Sequence, residues 1–344
     1  MATSRRDFLY NNIVRAGERA RAAEENRARE AAKNAPVTYM EYSRHAMASD
    51  FVLFANAGEY STLFDTAAAA LDEVSRLEQL LTYFDSESEI SRINRLAGLG
   101  WVETEPEVYD LLKYCRQLDF DTHGAYDITA TPLCEVWGFM RRKGVLPEEE
   151  ERRTALESVS TERITWDDEG CRLKFERPGV KISLGSVGKG LALDRAGDVL
   201  AEAGVTDFLF HGGASSVLAR GARRGREDWL IGLHHPLRPK ERIREITLRD
   251  RALGTSGSAT QFFWSGGKRY GHILDPRTGW PAVNVLSTTV LAPTAREADA
   301  LATAFYVLGI EQTRAFCEKR PDLAVIFVLP KGANELEMVE VGSL

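Results

Sequence analysis

The stretch ERITWDDEGCRLKFERPGVKISL, residues 162–184, decides the fold class. Its β-branched and aromatic residues cluster between turn formers, which predicts two or three short strands joined at Asp168-Glu169-Gly170 and Pro178-Gly179. A helix is expected from about Gly188 to Gly204, then a strand over Asp207–His211 that runs into Gly212-Gly213. Hairpin-like strands beside helices, without regular β–α alternation, point to an α+β fold with mixed or antiparallel sheets flanked by helices. Working outward, VTYMEYSRHAMASDFVLFANAG after Pro36 reads as paired strands. Residues 61–79 read as a helix with Leu63, Ala67, Leu71, Val74 and Leu77 on one face. LLKYCRQLDFDTHGAYDITATPLCEVWGFMRRKG begins as a helix and passes into a loop around His123-Gly124, and residues 148–152 (EEEER) read as a solvated surface helix or a linker. Further strands are expected around 228–234, 243–248, 284–292 and 323–329.

The chain has 344 residues, 44% hydrophobic and 9% aromatic, enough to bury one large core or two ordinary ones. No composition shift marks a boundary inside residues 39–344. Residues 1–38 are rich in Arg, Glu and Ala and read as a charged helical extension. Net charge is −7, and beyond the first 45 residues the arginines are scattered, so no basic face argues for nucleic acid or an anionic membrane. Cys115, Cys134, Cys171 and Cys317 lie far apart with no CxxC, which argues against a disulfide framework or a zinc site. Ser4–Leu9, SRRDFL, has the pattern of a twin-arginine export signal but lacks an apolar h-region, leaving cytoplasmic and exported (periplasmic) locations both open. No run of about 18 apolar residues predicts a transmembrane segment.

Candidate chemistry gathers in a few segments. TAREADALATAFYVLG, residues 294–309, predicts a helix with Thr294 as N-cap, Glu297 as its capping-box partner and Gly309 as the stop. Leu301, Phe305 and Leu308 form its core stripe. Asp299 and Thr303, at i and i+4, project side by side, so both oxygens could reach one hard cation such as Mg²⁺; the plain alternative is a surface Asp and a Thr bonded to the preceding turn. Ser183–Gly190, SLGSVGKG, follows a strand and opens a helix, a setting that attracts phosphate, with Lys189 as the charge partner. It is not a Walker loop, and tight helix packing explains the glycines equally well. Gly212-Gly213 and Thr255-Ser256-Gly257 permit close approach of a ligand or are ordinary turns. His272, in HILDPRTG, sits at a strand end before a rigid double turn and could act as acid, base or donor, or be structural. Phe84-Asp85 and Tyr126-Asp127 could enclose a planar ring and a ribose, or serve as core and turn residues.

Taken in order, these segments resemble the ApbE family, the FAD:protein FMN transferases. The likeness runs from Ala46-Met47 through TYFDSESEISRIN (82–94), GAYDITATPLCEVWGF (124–139), SLGSVGKGLALDRA (183–196), FLFHGGASS, DWLIGLHHP, LGTSG, YGHILDPRTG and ADALATAFYVLG. It implies an α+β fold that binds FAD as substrate beside Mg²⁺ and moves FMN to a Thr or Ser hydroxyl of an acceptor protein of an electron-transfer system, releasing AMP. Hydrolysis of FAD to FMN and AMP, and flavin binding without turnover, are the alternatives. It also implies metal ligation by the side chains of Asp299 and Thr303 and the carbonyls of Ser186 and Ala302. FAD contacts from Met47, Phe84, Ala125, Tyr126, Asp127, Ser183, Lys189 and Ile273 are implied as well, with His272 and Asp299 in the catalytic roles. Ser183 stands where the family's DLGG-like motif has Asp, Ala214 where GGD is common, Ser258-Ala259 where an acidic or amide residue precedes an aromatic, and Ala46-Met47-Ala48-Ser49 where Met-Gly-Thr is usual.

Overall fold

Alternation along Ser49–Asn56 buries Phe51, Leu53 and Ala55 on one face of a strand, the period-2 signature of a sheet with a helix-covered side. The computed structural model describes residues 39–343 except 259–260, 284 and 333–334; the N-terminal extension with its SRRDFL motif lies outside the described residues. Eight strands form one sheet: β1 (Tyr39–Ala46), β2 (Ser49–Asn56), β3 (Phe208–Gly212), β4 (Ser216–Arg220), β7 (Arg251–Gly257), β8 (Ser287–Ala292), β9 (Ala324–Lys331) and β10 (Glu335–Gly342). Their order in the sheet follows their order in the chain, and every neighbouring pair is antiparallel. The two strands between β4 and β7, β5 (Trp229–His235) and β6 (Arg238–Leu248), pair only with each other.

Three helices cover one face: α1 (Leu63–Leu81), α2 (Gly188–Glu202) and α3 (Ala295–Leu308), with α2 packed between the other two. Leu218, Ala252, Val290, Val325 and Phe327 point into this main core. The alternate residues Val217, Leu253, Leu291 and Ile326 point the other way, where the β5–β6 hairpin covers them with Trp229, Leu233, Ile246 and Leu248. A smaller aromatic core holds Trp137, Phe139, Tyr270 and Leu274 beneath the hairpin of Phe262–Ser265 and Lys268–Gly271. No helix of the described residues is long and apolar enough to cross a membrane.

Two glycines set how deeply α3 seats. A Cβ at Gly190, in the first turn of α2, would lie 2.2 Å from the carbonyl oxygen of Ala295. One at Gly254, in the middle of β7, would lie 2.4 Å from the carbonyl carbon and oxygen of Ala298. In both places the obstacle is backbone, so no side-chain rotation relieves it. Asp194 of α2 completes the join: its carboxylate accepts the Ala295 and Arg296 amides at 2.8 and 2.9 Å, satisfying two of the unpaired N–H groups that begin every helix. Thr294 accepts the Glu297 amide at 3.3 Å as the N-cap that the sequence predicts, and Gly309, at φ 76°, ends the helix.

In three segments that the sequence leaves open, one alternative holds. Of the strands expected in 162–184, Ile164–Asp167 and Arg172–Phe175 form and pair, but Val180–Leu184 joins no sheet. Its backbone is held by the Asn94 side chain, which bonds both the amide and the carbonyl of Ile182, and by the Ser183 amide donating to Ile128. Thr255-Ser256-Gly257 is not a turn but the end of β7, opposite Ser287, Thr288 and Thr289. The acidic segment becomes the helix Glu149–Glu157, on which Arg152 is buried and pairs with Glu149, so it is no linker.

Gly190→Ala and Gly254→Ala are each expected to destabilise the protein by about 2 kcal/mol or more, the upper range for forcing a methyl group into packed structure. Gly98→Ala, at a site with nothing within 4 Å of the added carbon, should stay within about 0.5 kcal/mol of wild type. Urea unfolding of the three variants checks both statements.

Candidate functional site

Because α3 is seated against β7 and α2, Asp299 is carried into the interior, where only 8% of it is exposed. Its Oδ2 accepts a hydrogen bond of 2.9 Å from Ser216 Oγ, at the start of β4, and the Gly190 amide also donates to it. Burial pushes its pKa from the ordinary 3.8 up to about 7, although the nearby Lys189 ammonium and these hydrogen bonds pull it down. One turn on, Thr303 Oγ1 lies 2.8 Å from Ser256 Oγ of β7. Lys189, in the first turn of α2, donates to Ser215 Oγ at 2.7 Å. All six side chains line one cavity of about 440 Å³.

The remaining lining includes loop residues. Tyr126 is fully buried and takes a 3.1 Å hydrogen bond from Ser186 Oγ at its own hydroxyl. Asp127 folds back on its own turn, accepting the Thr129 amide at 2.7 Å and the Thr129 hydroxyl at 2.6 Å, and burial pushes its pKa up to about 6. His272 follows directly on the aromatic hairpin, with its ring 6.4 Å from that of Phe139. Its Nδ1 is 3.1 Å from the Gln261 carbonyl, and a carbonyl only accepts, so Nδ1 carries the proton and Nε2 keeps a free lone pair in the neutral ring. Burial lowers the His272 pKa from its ordinary 6.5. The double turn after it is as expected: Thr278 and Gly279 amides both donate to Asp275, at 3.2 and 2.8 Å.

Among the described residues no three His, Cys, Asp or Glu side chains gather around one point. The side chains in contact with Asp299 and Thr303 are the hydroxyls of Ser216 and Ser256, so the pair offers one carboxylate and neutral hard oxygens, with Asp127 a second carboxylate on the cavity lining. Such a set suits Mg²⁺, which binds through one or two carboxylates and completes its shell with water and substrate phosphate. Lys189 adds a positive charge at the same wall. The cavity thus offers a phosphate-bearing ligand a carboxylate, hydroxyls, an ammonium and a neutral imidazole on one lining.

The family model for the ApbE family matches residues 44–327. The chain belongs to the ApbE family. It is 32% identical over 252 residues to the FAD:protein FMN transferase of Vibrio cholerae, covering 72% of this chain and 74% of that protein. With the FAD:protein FMN transferase of Klebsiella pneumoniae it shares 29% identity over 265 residues, 76% of this chain and 81% of that one. The ApbE protein of Thermotoga maritima has the same fold, with a TM-score of 0.78 and 31% identity over 87% of this chain and 96% of the other. The apo form of the flavinyl transferase ApbE of Pseudomonas stutzeri also gives a TM-score of 0.78, at 25% identity over 89% and 95% of the two chains.

Of the residues that the ApbE resemblance singles out, Ala125, Tyr126, Asp127, Ser183, Ser186, Lys189, His272, Ile273, Asp299 and Thr303 all line the cavity. Three do not. Met47 is at the β1–β2 turn, at φ 50°, where its amide is held by Glu78. Phe84 is 76% exposed, edge-on to Tyr83, and Ala302 is buried within α3. Gly212 and Gly213 serve the fold: a Cβ on Gly212 would meet the Phe51 ring at 2.9 Å, and Gly213 turns the chain at φ 63°. Thr255-Ser256-Gly257, which the sequence marks as a possible ligand contact, does line the cavity, whereas Ser215, Ser216 and the Ser256–Thr303 contact were missed. The available signal was the apolar run SVLAR after Gly212-Gly213, which marks a hairpin and would have placed both serines at the turn.

Asp299→Asn should stabilise the cation-free protein at pH 8, by roughly 5 °C in Tm, because a neutral isostere avoids burying charge. The sign follows from the raised pKa. Below about pH 4 both states are protonated and the two proteins should melt alike; the wild-type penalty grows from there to pH 7 and is complete above it. Melting curves from pH 4 to 8 in chelator measure the gap, and a gap that widened toward acid would contradict this reading.

Proposed function

We propose that this chain transfers FMN from FAD to a Thr or Ser hydroxyl of an acceptor protein, releasing AMP. The observation that carries this reading is the buried Asp299–Thr303 pair, which shares a cavity with Lys189 and His272 in a member of the ApbE family. A protein of an electron-transfer system is the acceptor that suits a covalently attached flavin. Asp299 and Thr303 by side chain, with Ser186 by carbonyl, would hold Mg²⁺, while Ala302 lies within α3 and off the cavity lining. Bound there, the cation supplies charge neutralisation at the pyrophosphate.

The residues of the chain supply the rest. Lys189 adds charge next to the phosphate oxygens, and Ala125, Tyr126, Asp127, Ser183 and Ile273 border the space for the remainder of FAD. Nε2 of His272 accepts the proton of the acceptor hydroxyl, whose oxygen bonds to the FMN phosphorus as the pyrophosphate P–O bond breaks and AMP leaves. Because Nδ1–H is fixed on the Gln261 carbonyl, the base nitrogen is held in one orientation. Phosphoryl transfer depends on alignment and charge more than on covalent help, which is what such a pocket provides.

The test is AMP release from FAD and Mg²⁺, with and without a Thr-containing acceptor peptide whose mass is followed. AMP that depends on peptide, with one FMN added per peptide, is expected. AMP without peptide would mark a pyrophosphatase, and FAD binding without AMP a flavin-binding protein. Asp299→Ala and His272→Ala should each lower the rate by about 10²-fold or more. Since burial lowers the His272 pKa, its base form persists at neutral pH, and the acid limb of the rate profile should fall below pH 6.5.

A further inference from the structure

Two hydroxyls outside the Asp299–Thr303 pair touch it directly, one on each member. Ser216 is fully buried, and its Oγ donates to Asp299 Oδ2 at 2.9 Å. Ser256 Oγ lies 2.8 Å from Thr303 Oγ1. The two serines come from neighbouring antiparallel strands, β4 and β7, beneath the helix that bears the pair. We propose that Ser216 and Ser256 are positioning residues that fix Asp299 and Thr303 for the cation; this rests on the reading of that pair as a cation site.

The two contacts act differently. A carboxylate only accepts, so Ser216 must donate, which occupies one side of Oδ2 and fixes the plane of the carboxylate. The remaining lone pairs of Asp299 then face a set direction. Between Ser256 and Thr303 either hydroxyl can donate, and a cation decides which. A threonine oxygen that gives a lone pair to a cation must send its proton elsewhere, and Ser256 Oγ is the acceptor within reach. Ser256 thus accepts a hydrogen bond from the Thr303 hydroxyl and leaves a lone pair of the Thr303 oxygen open. Removing the partner that orients a ligand commonly weakens metal binding by about 10- to 100-fold.

The contacts themselves are not readable from spacing, since the serines lie 83 and 47 residues from the side chains they hold. Ser216 immediately follows Ser215, whose Oγ takes the Lys189 hydrogen bond. The turn after Gly212-Gly213-Ala214 therefore bonds the ammonium with one hydroxyl and the carboxylate with the next, in a chain with no acid at position 214.

The experiment is titration of the full chain, with FAD present, by Mn²⁺, reading the free ion by its electron paramagnetic resonance signal. Ser216→Ala and Ser256→Ala are expected to raise the Mn²⁺ Kd about tenfold or more each, and Ser256→Thr, which keeps a hydroxyl, to restore most of the loss. AMP release by both alanine variants should recover toward wild type at saturating Mg²⁺, a split that a general loss of structure does not give. Ser256 is only half-buried, so its variant keeps the test decisive if Ser216→Ala fails to fold. Kd values within twofold of wild type in the folded variants would overturn the proposal while leaving the cation site standing. A wild-type protein that takes up no Mn²⁺ would overturn both.

Discussion

A carboxylate forced into the interior governs this structure. Asp299 has one full positive charge near it, Lys189, together with two hydrogen-bond donors, and these do not offset the loss of water; its pKa rises to about 7. Burial of that kind persists only where the surroundings hold the helix in place. Here the hold is steric: α3 rests on the bare backbone of Gly254 and against that of Gly190, and Asp194 takes the first two amides of the helix. The fold thus supplies a strong demand for positive charge at one point, which the proposed cation would meet.

The remaining parts of the cavity follow from the antiparallel sheet. Its strands end at the same rim, so Ser216 of β4, Ser256 of β7 and the loop serine Ser215 present hydroxyls side by side. Hydroxyls suit a hard cation and phosphate oxygens and add no charge of their own. His272 lines the same cavity from the segment that follows the aromatic hairpin, with its Nδ1 held by the Gln261 carbonyl.

Much of this was legible in the sequence, for local reasons. The stripe Leu63, Ala67, Leu71, Val74 and Leu77 is buried as its spacing requires, and the Thr294 cap and Gly309 stop lie where their chemistry places them. Asp299 and Thr303 were visible because i, i+4 spacing is a property of any helix. What stayed hidden depends on partners distant in the chain. Val180–Leu184 has the composition of a strand, yet Asn94 takes its backbone hydrogen bonds. Thr255-Ser256-Gly257 resembles a turn, but its glycine-rich setting reflects Gly254 meeting α3. The Ser216 and Ser256 contacts arise only once the sheet is assembled. Gly190, equally readable as a phosphate loop or a packing residue, proves to be in contact with the α3 backbone.

The most direct test of the central claim is the anomalous scattering of a crystal of this protein grown with Mn²⁺ and FAD. The account predicts one peak about 2.0–2.3 Å from side-chain oxygens of both Asp299 and Thr303, with a phosphate oxygen of FAD completing the shell. A peak at other residues, or flavin density in the cavity with no cation beside Asp299, would contradict it.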